Sequence, residues 1–353
     1  MRFLTQTRPG ISFTLNAQTF HVHEIDQEGK VVNLDYRKDE KGSQHLYIIK
    51  KKNWSTDTLL KRLSYLTGIK LKYIGFAGMK DKNATTYQRI TLPRPIEPLS
   101  IKDVEIVKGG TLIKKLRMGD LWGNLFHVYH PEIERLSPVI EELPGYFLNY
   151  FGEQRFGRKC INVKVGLLLL QERFEEALQL FLTYPRENNP EILEIRKRIQ
   201  EGELPSFPKH MKHENWIVGR LREGKSPKQI LLELPRNFSL LFIHSVQSYI
   251  FNKELDLRYD NQDLVEEGYL VGYDTNINPY QQEILQQLNL TQEHFQMRSL
   301  PTLRAKGAPR KMLERYFDLK LFQDHISFKL PRGSYATTFL KELTKNYEAS
   351  NCD

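Results

Sequence analysis

The sequence is short of the features that would place a chain of this size among disulfide-built, membrane-spanning or nucleotide-driven proteins. Only two cysteines occur in 353 residues, Cys160 and Cys352. They are far apart and have no second cysteine nearby, which excludes a disulfide framework or a cysteine-type zinc site and fits a reducing, cytoplasmic setting. No apolar run approaches the roughly 20 residues a membrane helix needs. Even Val165 to Leu170 is brief and contains Gly166. The opening Met1-Arg2-Phe3-Leu4-Thr5-Gln6-Thr7-Arg8 has no signal-peptide core, so no membrane attachment is expected. Neither GxxxxGK[ST] nor GxGxxG occurs, and no cofactor is expected. His21 with His23, and His210 with His213, pair up without a third ligand, so no metal is expected. Repeats, low-complexity segments and heptad runs are missing, and the chain reads as a monomer with no obligate protein partner.

What is present is a large core and an excess of positive charge. With 40% hydrophobic and 11% aromatic residues, the chain can build two domains, or one large domain carrying an insertion. Lysine and arginine number 52 against 43 acidic residues, a net +9 spread along the sequence rather than gathered in a tail. That balance suits a folded surface facing an acidic polymer.

The first third alternates apolar and polar residues in short runs, Ile11 to Leu15, Phe20 to Ile25 and His45 to Lys50, which predicts strands. One helix interrupts them. Ser55-Thr56-Asp57 caps it, Leu59, Leu60, Leu63 and Leu66 form its apolar stripe, and Gly68 stops it. Strands resume through Phe126 to Tyr129. From about Val163 the period becomes helical: Leu167 to Leu182, Pro190 to Gln200, Pro227 to Leu234 and Asn237 to Leu257. Strand character returns at His325 to Leu330, followed by a short helix from Thr337 to Leu343. The pattern predicts an α+β chain whose outer segments share a sheet and whose middle is a mostly helical insertion.

The run Gly75-Phe76-Ala77-Gly78-Met79-Lys80-Asp81-Lys82-Asn83-Ala84-Thr85-Thr86-Tyr87-Gln88 sets one carboxylate among cations, amides and glycines. If it is extended, Asp81 faces one side and Lys80 and Lys82 the other, which would separate chemistry from phosphate binding.

This run resembles the signature of the tRNA pseudouridine synthase D (TruD) family, whose glycine-rich "AG.KD" loop carries the catalytic aspartate. Four further segments are similar to the family's in the same order. Lys115 to Phe126 resembles "lG.l.GN.F" and Asn149 to Gly157 resembles "NYFG.QRFG". His244 to Asn252 resembles "QS.lFN" and Leu330 to Thr337 resembles "LP.GS.AT". The resemblance implies a pseudouridine-synthase catalytic domain on a mixed, largely antiparallel sheet, formed by residues 1–150 and 306–353. It implies an inserted α/β TRUD domain, mostly helical, at 151–305.

It also implies the chemistry: isomerisation of a tRNA uridine to pseudouridine, usually position 13 of the D stem, without cofactor or metal. Asp81 would be the catalytic carboxylate, either attacking C1′ or taking a proton from C2′. The reading leaves another RNA substrate, or RNA binding without catalysis, as alternatives. A uridine must leave its stack to be reached, and aromatic faces replace the lost stacking. Phe20, Phe126 and Tyr335 are implied for that role, with the Asn124 amide on the polar edge of uracil. Tyr335 stands where phenylalanine is expected, and its hydroxyl needs a partner if buried. Lys80, Lys82, Arg155, Arg158, Lys306, Arg310 and Arg332 are candidates for phosphate contacts or, for one of them, for holding Asp81 in place. Gly152 and Gly157 read as turn or close-approach positions.

Overall fold

The computed structural model describes residues 1–346. In chain order the first part runs β1 (Phe20–Ile25), β2 (Lys38–Asp39), β3 (Gln44–Lys52), α1 (Thr56–Thr67), β4 (Gly75–Phe76), β5 (Thr85–Leu92), β6 (Val104–Leu112), β7 (Gly123–Tyr129), α2 (Ser137–Glu142) and β8 (Tyr146–Leu148). The middle holds α3 (Ile161–Leu170), α4 (Phe174–Thr183), α5 (Pro190–Gln200), α6 (Lys212–Arg222), α7 (Pro227–Glu233), α8 (Arg236–Asp260), β9 (Glu267–Leu270), α9 (Pro279–Gln287) and β10 (Ala308–Lys311). The chain closes with β11 (Leu313–Arg315), β12 (Phe317–Leu321), β13 (His325–Pro331) and α10 (Ala336–Thr344). Two compact units result, one made of Phe3–Phe147 with Glu314–Asn346, the other including Met1–Arg2 and Leu148–Leu313.

The first unit is built on a nine-stranded mixed sheet in the order β12-β13-β7-β1-β5-β3-β6-β2, with β4 added beside β5. Only β1 with β5 and β2 with β6 run parallel. The rest is antiparallel, so the fold is α+β and the sheet is open. One face of β1, β7 and β13 is apolar at alternate positions: Phe20 and Val22, Phe126 and Val128, Ile326, Phe328 and Leu330 join Phe339, Leu340 and Leu343 of α10 in one core. Under β3 and β5, Leu59, Leu60 and Leu63 of α1 pack with Tyr47, Ile49 and Ile90. Each such leucine contributes roughly 1.5–3 kcal/mol by leaving water. The α1 caps are as expected, with Ser55 accepting from the Thr58 N–H and Gly68 at φ 67°. The predicted stripe ends one turn early, because Leu66 is 37% exposed.

Ile11 to Leu15 is not a strand. Ile11 is buried in the core and Phe13 and Leu15 pack beside it, but β1 already has β7 on one side and β5 on the other, so no edge remains for their backbone.

In the second unit, α3 and α4 replace the single helix expected from Leu167 to Leu182. The break falls at Glu172, which adopts φ 57° and whose carboxylate accepts from the backbone N–H and hydroxyl of Ser299. A distant serine, not a local glycine or proline, fixes the break. Gly166 lets α3 lie against α8, since a Cβ there would sit 2.4 Å from the Phe242 carbonyl. The helices α6 and α9 had no counterpart in the sequence pattern. Cys160 is buried, and Cys352 lies outside the described residues. Among the described residues no helix is long and apolar enough to cross a membrane.

Candidate active site

Asp81 sits in the loop from β4 to β5, not on a strand. The alternation expected for Lys80, Asp81 and Lys82 is therefore replaced: Asp81 and Lys82 are both exposed, and Lys80 is buried. Backbone and side-chain hydrogen bonds hold the loop from below. The Lys80 N–H donates to Thr56 Oγ1 at 2.9 Å, and Thr56 donates on to Gln88 Oε1 at 3.2 Å. Lys51, at the end of β3 and fully buried, donates its ammonium to the carbonyls of Asp81 at 2.9 Å and Trp54 at 2.6 Å. On the near side, the Gly119 N–H donates to the Ala77 carbonyl at 2.8 Å. The carboxylate is thus presented to solvent on a backbone fixed at several points.

A buried charge array supports this loop. Glu24, at the end of β1, receives the Arg89 guanidinium at 2.7 Å and the Lys80 ammonium at 3.3 Å, with all three side chains nearly inaccessible. Arg89 also donates to the Asp120 carbonyl at 2.7 Å. Glu24 therefore sits between two buried cations beneath the Asp81 segment, and the buried Asp26 also acts on Arg89. Burial pushes the Lys51 ammonium down to about 8, with the negative charge of Asp81 opposing that fall and Lys80 adding to it.

Of these, Glu24, Arg89 and Lys51 were not singled out from the sequence, although a signal for Glu24 and Lys51 exists. Glu24 follows Phe20 and Val22 at a spacing of two, and Lys51 follows Tyr47 and Ile49 in the same way. A charge in phase with the buried side of a strand must have a buried partner.

Phe20 and Phe126 come together on β1 and β7, and Asn124 lies two residues along β7 from Phe126. The Phe20 and Phe126 rings stack at 5.9 Å, and Phe126 continues onto Phe328 at 5.3 Å. Both implied base-stacking phenylalanines are buried, 3% and 4% exposed, so their faces are largely taken by each other and by the core. Asn124 lies opposite Glu24 on one side and Leu330 on the other, at the end of this aromatic row. Its Oδ1 is buried without a hydrogen-bond partner, as are Thr86 Oγ1 and Gln88 Nε2 on β5. Thr86 is paired with Val22, and Val22 with Phe126, so these polar atoms belong to the same sheet face. Buried polar atoms are normally satisfied. Glu24 Oε2 on β1 is likewise without a hydrogen-bond partner, so this face gathers four such atoms.

The other candidates divide. Tyr335 is half-buried and sits at the N-terminal cap of α10. Arg332 donates its guanidinium to the Gly119 carbonyl at 2.6 Å, tying the turn after β13 to the segment that holds Ala77. It remains exposed, but one of its donors is used internally. Lys80, expected at phosphate, is instead Glu24's partner, because its position in the loop turns it inward.

Arg155, in the second unit, donates to Ser248 Oγ at 3.1 Å and lies over the Phe151 ring at 5.6 Å. Arg310 lies over the same ring at 3.9 Å and donates to Asn149 at 3.0 Å. Asn252 closes the arrangement, accepting from the Phe151 N–H and donating to its carbonyl. The segments Asn149 to Gly157 and His244 to Asn252 therefore hold each other, with Arg155 and Arg310 engaged in that packing. Lys82 and Lys306 are exposed. Among the described residues no group of three or more His, Cys, Asp or Glu side chains is arranged to hold a metal.

Comparison with known proteins agrees with this architecture. The family profile described as tRNA pseudouridine synthase D (TruD) matches residues 1–276 and 261–343. A probable tRNA pseudouridine synthase D of Pyrococcus abyssi is 34% identical, over 98% of this chain and 99% of its own. That of Methanopyrus kandleri is also 34% identical, over 86% of each chain. The crystal structure of the putative tRNA pseudouridine synthase D from Methanosarcina mazei superposes with a TM-score of 0.76 and 25% identity, covering 98% of this chain and 96% of that one. On this sequence coverage and this fold, the chain belongs to the tRNA pseudouridine synthase D (TruD) family of isomerases.

Proposed function

We propose that this protein converts a uridine of tRNA, position 13 of the D stem, to pseudouridine, with Asp81 as the catalytic carboxylate. The observation that carries the reading is the exposed Asp81 side chain on a loop whose backbone is fixed by Lys51, Thr56 and Gly119, within the unit that also holds the unsatisfied Asn124, Thr86 and Gln88. Residues 1–150 and 306–353 form the catalytic domain in this reading and 151–305 the TRUD insertion; the compact units, which change at 147/148 and 313/314, support it.

The reaction is an isomerisation and needs no external oxidant or reductant. The C1′–N1 bond breaks, the uracil turns, C1′ bonds to C5, and the C5 proton leaves to solvent while N1 regains one. Attack by Asp81 at C1′ and removal of the C2′ proton both require the same thing, an anion beside a sugar that gains positive character. Asn124 Oδ1, an acceptor without a donor, complements the N3–H of uracil. Tyr335 offers an aromatic face, and Phe20 and Phe126 support the pocket as an aromatic wall. Lys82 and Arg332 contact phosphate.

The test is tritium release from tRNA transcripts carrying C5-tritiated uridine, followed for the wild type and Asp81→Asn. Release by the wild type alone, with Asp81→Asn still binding the RNA, is expected. Full release by Asp81→Asn would rule out the assigned role. RNA bound by the wild type but returned unchanged would mean binding without catalysis.

A further inference from the structure

One face of the catalytic unit carries cations and exposed rings in a combination that the chemistry at Asp81 does not use. Between residues 58 and 80, and again between 106 and 119, the sequence contains no aspartate or glutamate. The first stretch spans most of α1, the short turn Leu71–Tyr73 and β4; the second leads from β6 toward β7. They lie side by side: the Lys115 ammonium donates to the Lys72 carbonyl at 2.5 Å, and a Cβ on Gly75 would sit 2.7 Å from the Leu116 carbonyl.

On this surface Tyr65 is 79% exposed and Tyr73 49%. Each ring has a cation beside it, the Arg62 guanidinium 5.7 Å from the Tyr65 centroid and the Lys72 ammonium 5.0 Å from that of Tyr73. A cation near one side of an exposed ring leaves the ring open to stack and the cation placed for a phosphate. Lys70 and Lys114 are exposed nearby and have no acidic neighbour in their own segments. The acids at the margins are engaged: Asp57 pairs with Lys61 at 2.6 Å, Asp120 accepts the Arg117 N–H at 2.7 Å, and Glu40 accepts the Ile113 N–H at 2.9 Å.

We propose that this surface binds the substrate RNA outside the catalytic pocket, with unpaired bases stacked on Tyr65 and Tyr73 and phosphates held by Arg62, Lys70 and Lys72. The inference rests on the tRNA reading above and extends it. Tyr65 lies nine residues along α1 from Thr56, which anchors the Asp81 loop. At ~1.5 Å per residue that is about 13 Å, beyond a flipped uridine yet within the RNA that flanks it. The exposed apolar side chains Leu66 and Leu71 beside the rings would be costly in water, and a stacked base covers them. A protein partner would also cover them, but an all-cationic rim complements a polyanion.

The test uses the full chain and an unmodified tRNA transcript. Affinity is measured by fluorescence anisotropy at several salt concentrations, and kcat and KM by tritium release, for the wild type, Tyr65→Ala/Tyr73→Ala and Lys70→Glu/Lys72→Glu. All four positions are exposed, and circular dichroism checks the fold. Losing one stacked ring is expected to raise Kd and KM about 5- to 150-fold, the range that stacking energies imply, and losing both rings to raise them further, with kcat within about twofold. The lysine variant should also reduce the slope of log Kd against log salt by roughly 2, since each phosphate contact contributes about 0.9. Wild-type turnover with Kd, KM and slope unchanged in both variants would overturn the surface and leave the reaction standing. RNA binding without turnover, weakened by the variants, would do the reverse. A wild type that binds no RNA would overturn both.

Discussion

The buried ammonium of Lys51 lies 2.9 Å from the backbone carbonyl oxygen of Asp81, so the residue that presents the carboxylate is held by a cation brought from another strand. The interaction fixes the loop and adds positive potential beside the anion. With its proton lost near pH 8, Lys51 keeps the contact but not the charge. The rate, kcat/KM, is expected to fall as pH rises above about 8. Lys51→Arg, charged throughout, should lack that alkaline limb in whatever activity it retains, and Lys51→Met should lower kcat by about 100-fold, the scale of one removed electrostatic contact. A wild-type profile flat from pH 7 to 9.5 would count against this role.

Glu24 is the sole anion between Arg89 and Lys80 in the described array. Glu24→Gln removes the anion that both buried cations touch, leaving Arg89 only the more distant Asp26, and should destabilise the protein by roughly 3–5 kcal/mol, the usual result of removing one partner from a buried ion pair. Urea unfolding measures it. A change below 1 kcal/mol would show that water reaches the array.

Asn124 separates function from stability. Its Oδ1 has no partner in the folded protein, so Asn124→Leu removes an unsatisfied buried acceptor and should leave the melting temperature unchanged or raise it. The same change should lower kcat/KM for tRNA by about 10- to 100-fold. A stability loss as large as the activity loss would make Asn124 a packing residue.

Gly123 opens β7 one residue before Asn124, and a Cβ there would lie 2.1 Å from the Leu330 carbonyl of β13. Gly123→Ala must spread the β7–β13 pairing that aligns Asn124 with Leu330. The expected cost is about 1–3 kcal/mol, as for overpacking elsewhere, read by thermal or urea unfolding and accompanied by reduced activity. Gly219→Ala, in α6 with nothing within 4 Å, is the control and should stabilise by roughly 1 kcal/mol.

His127 faces the other side of the same sheet, with His23 at 5.5 Å and His325 at 5.3 Å between ring centroids. Burial, followed by its histidine neighbours, pushes it down to about 4. The unfolded chain takes up this proton near pH 6.5, the folded one only near 4, so this group's contribution makes stability fall as pH drops through that window. Urea midpoints between pH 7 and 4 should show the slope, and His127→Phe should reduce it. An unchanged slope would assign the pH dependence to other groups.

The chain order of elements was legible where the signal is local. Alternation gave β1, β3, β7 and β13 to within a few residues, Ser55 and Gly68 bounded α1, and proline at a first helical position gave α5 and α7. Signals that depend on a distant partner were not legible. The break between α3 and α4 comes from Ser299 reaching Glu172, and Ile11 to Leu15 lacks a ladder because β1 has no free edge.

The sequence by itself determined the family, the α+β class and the position of the Asp81 loop, because motif order, residue periodicity and caps act over a few residues. Only the tertiary structure decided what surrounds Asp81. It turned Lys80 inward to Glu24, brought Lys51 beneath the loop, buried Phe20 and Phe126 against each other, and used Arg155 and Arg310 for packing. A lysine in a sequence is a charge in water until the fold sets its burial and its partner. Those two quantities depend on strands and helices far apart in the chain, and they decide whether a cation meets phosphate, orients a carboxylate, or closes a core.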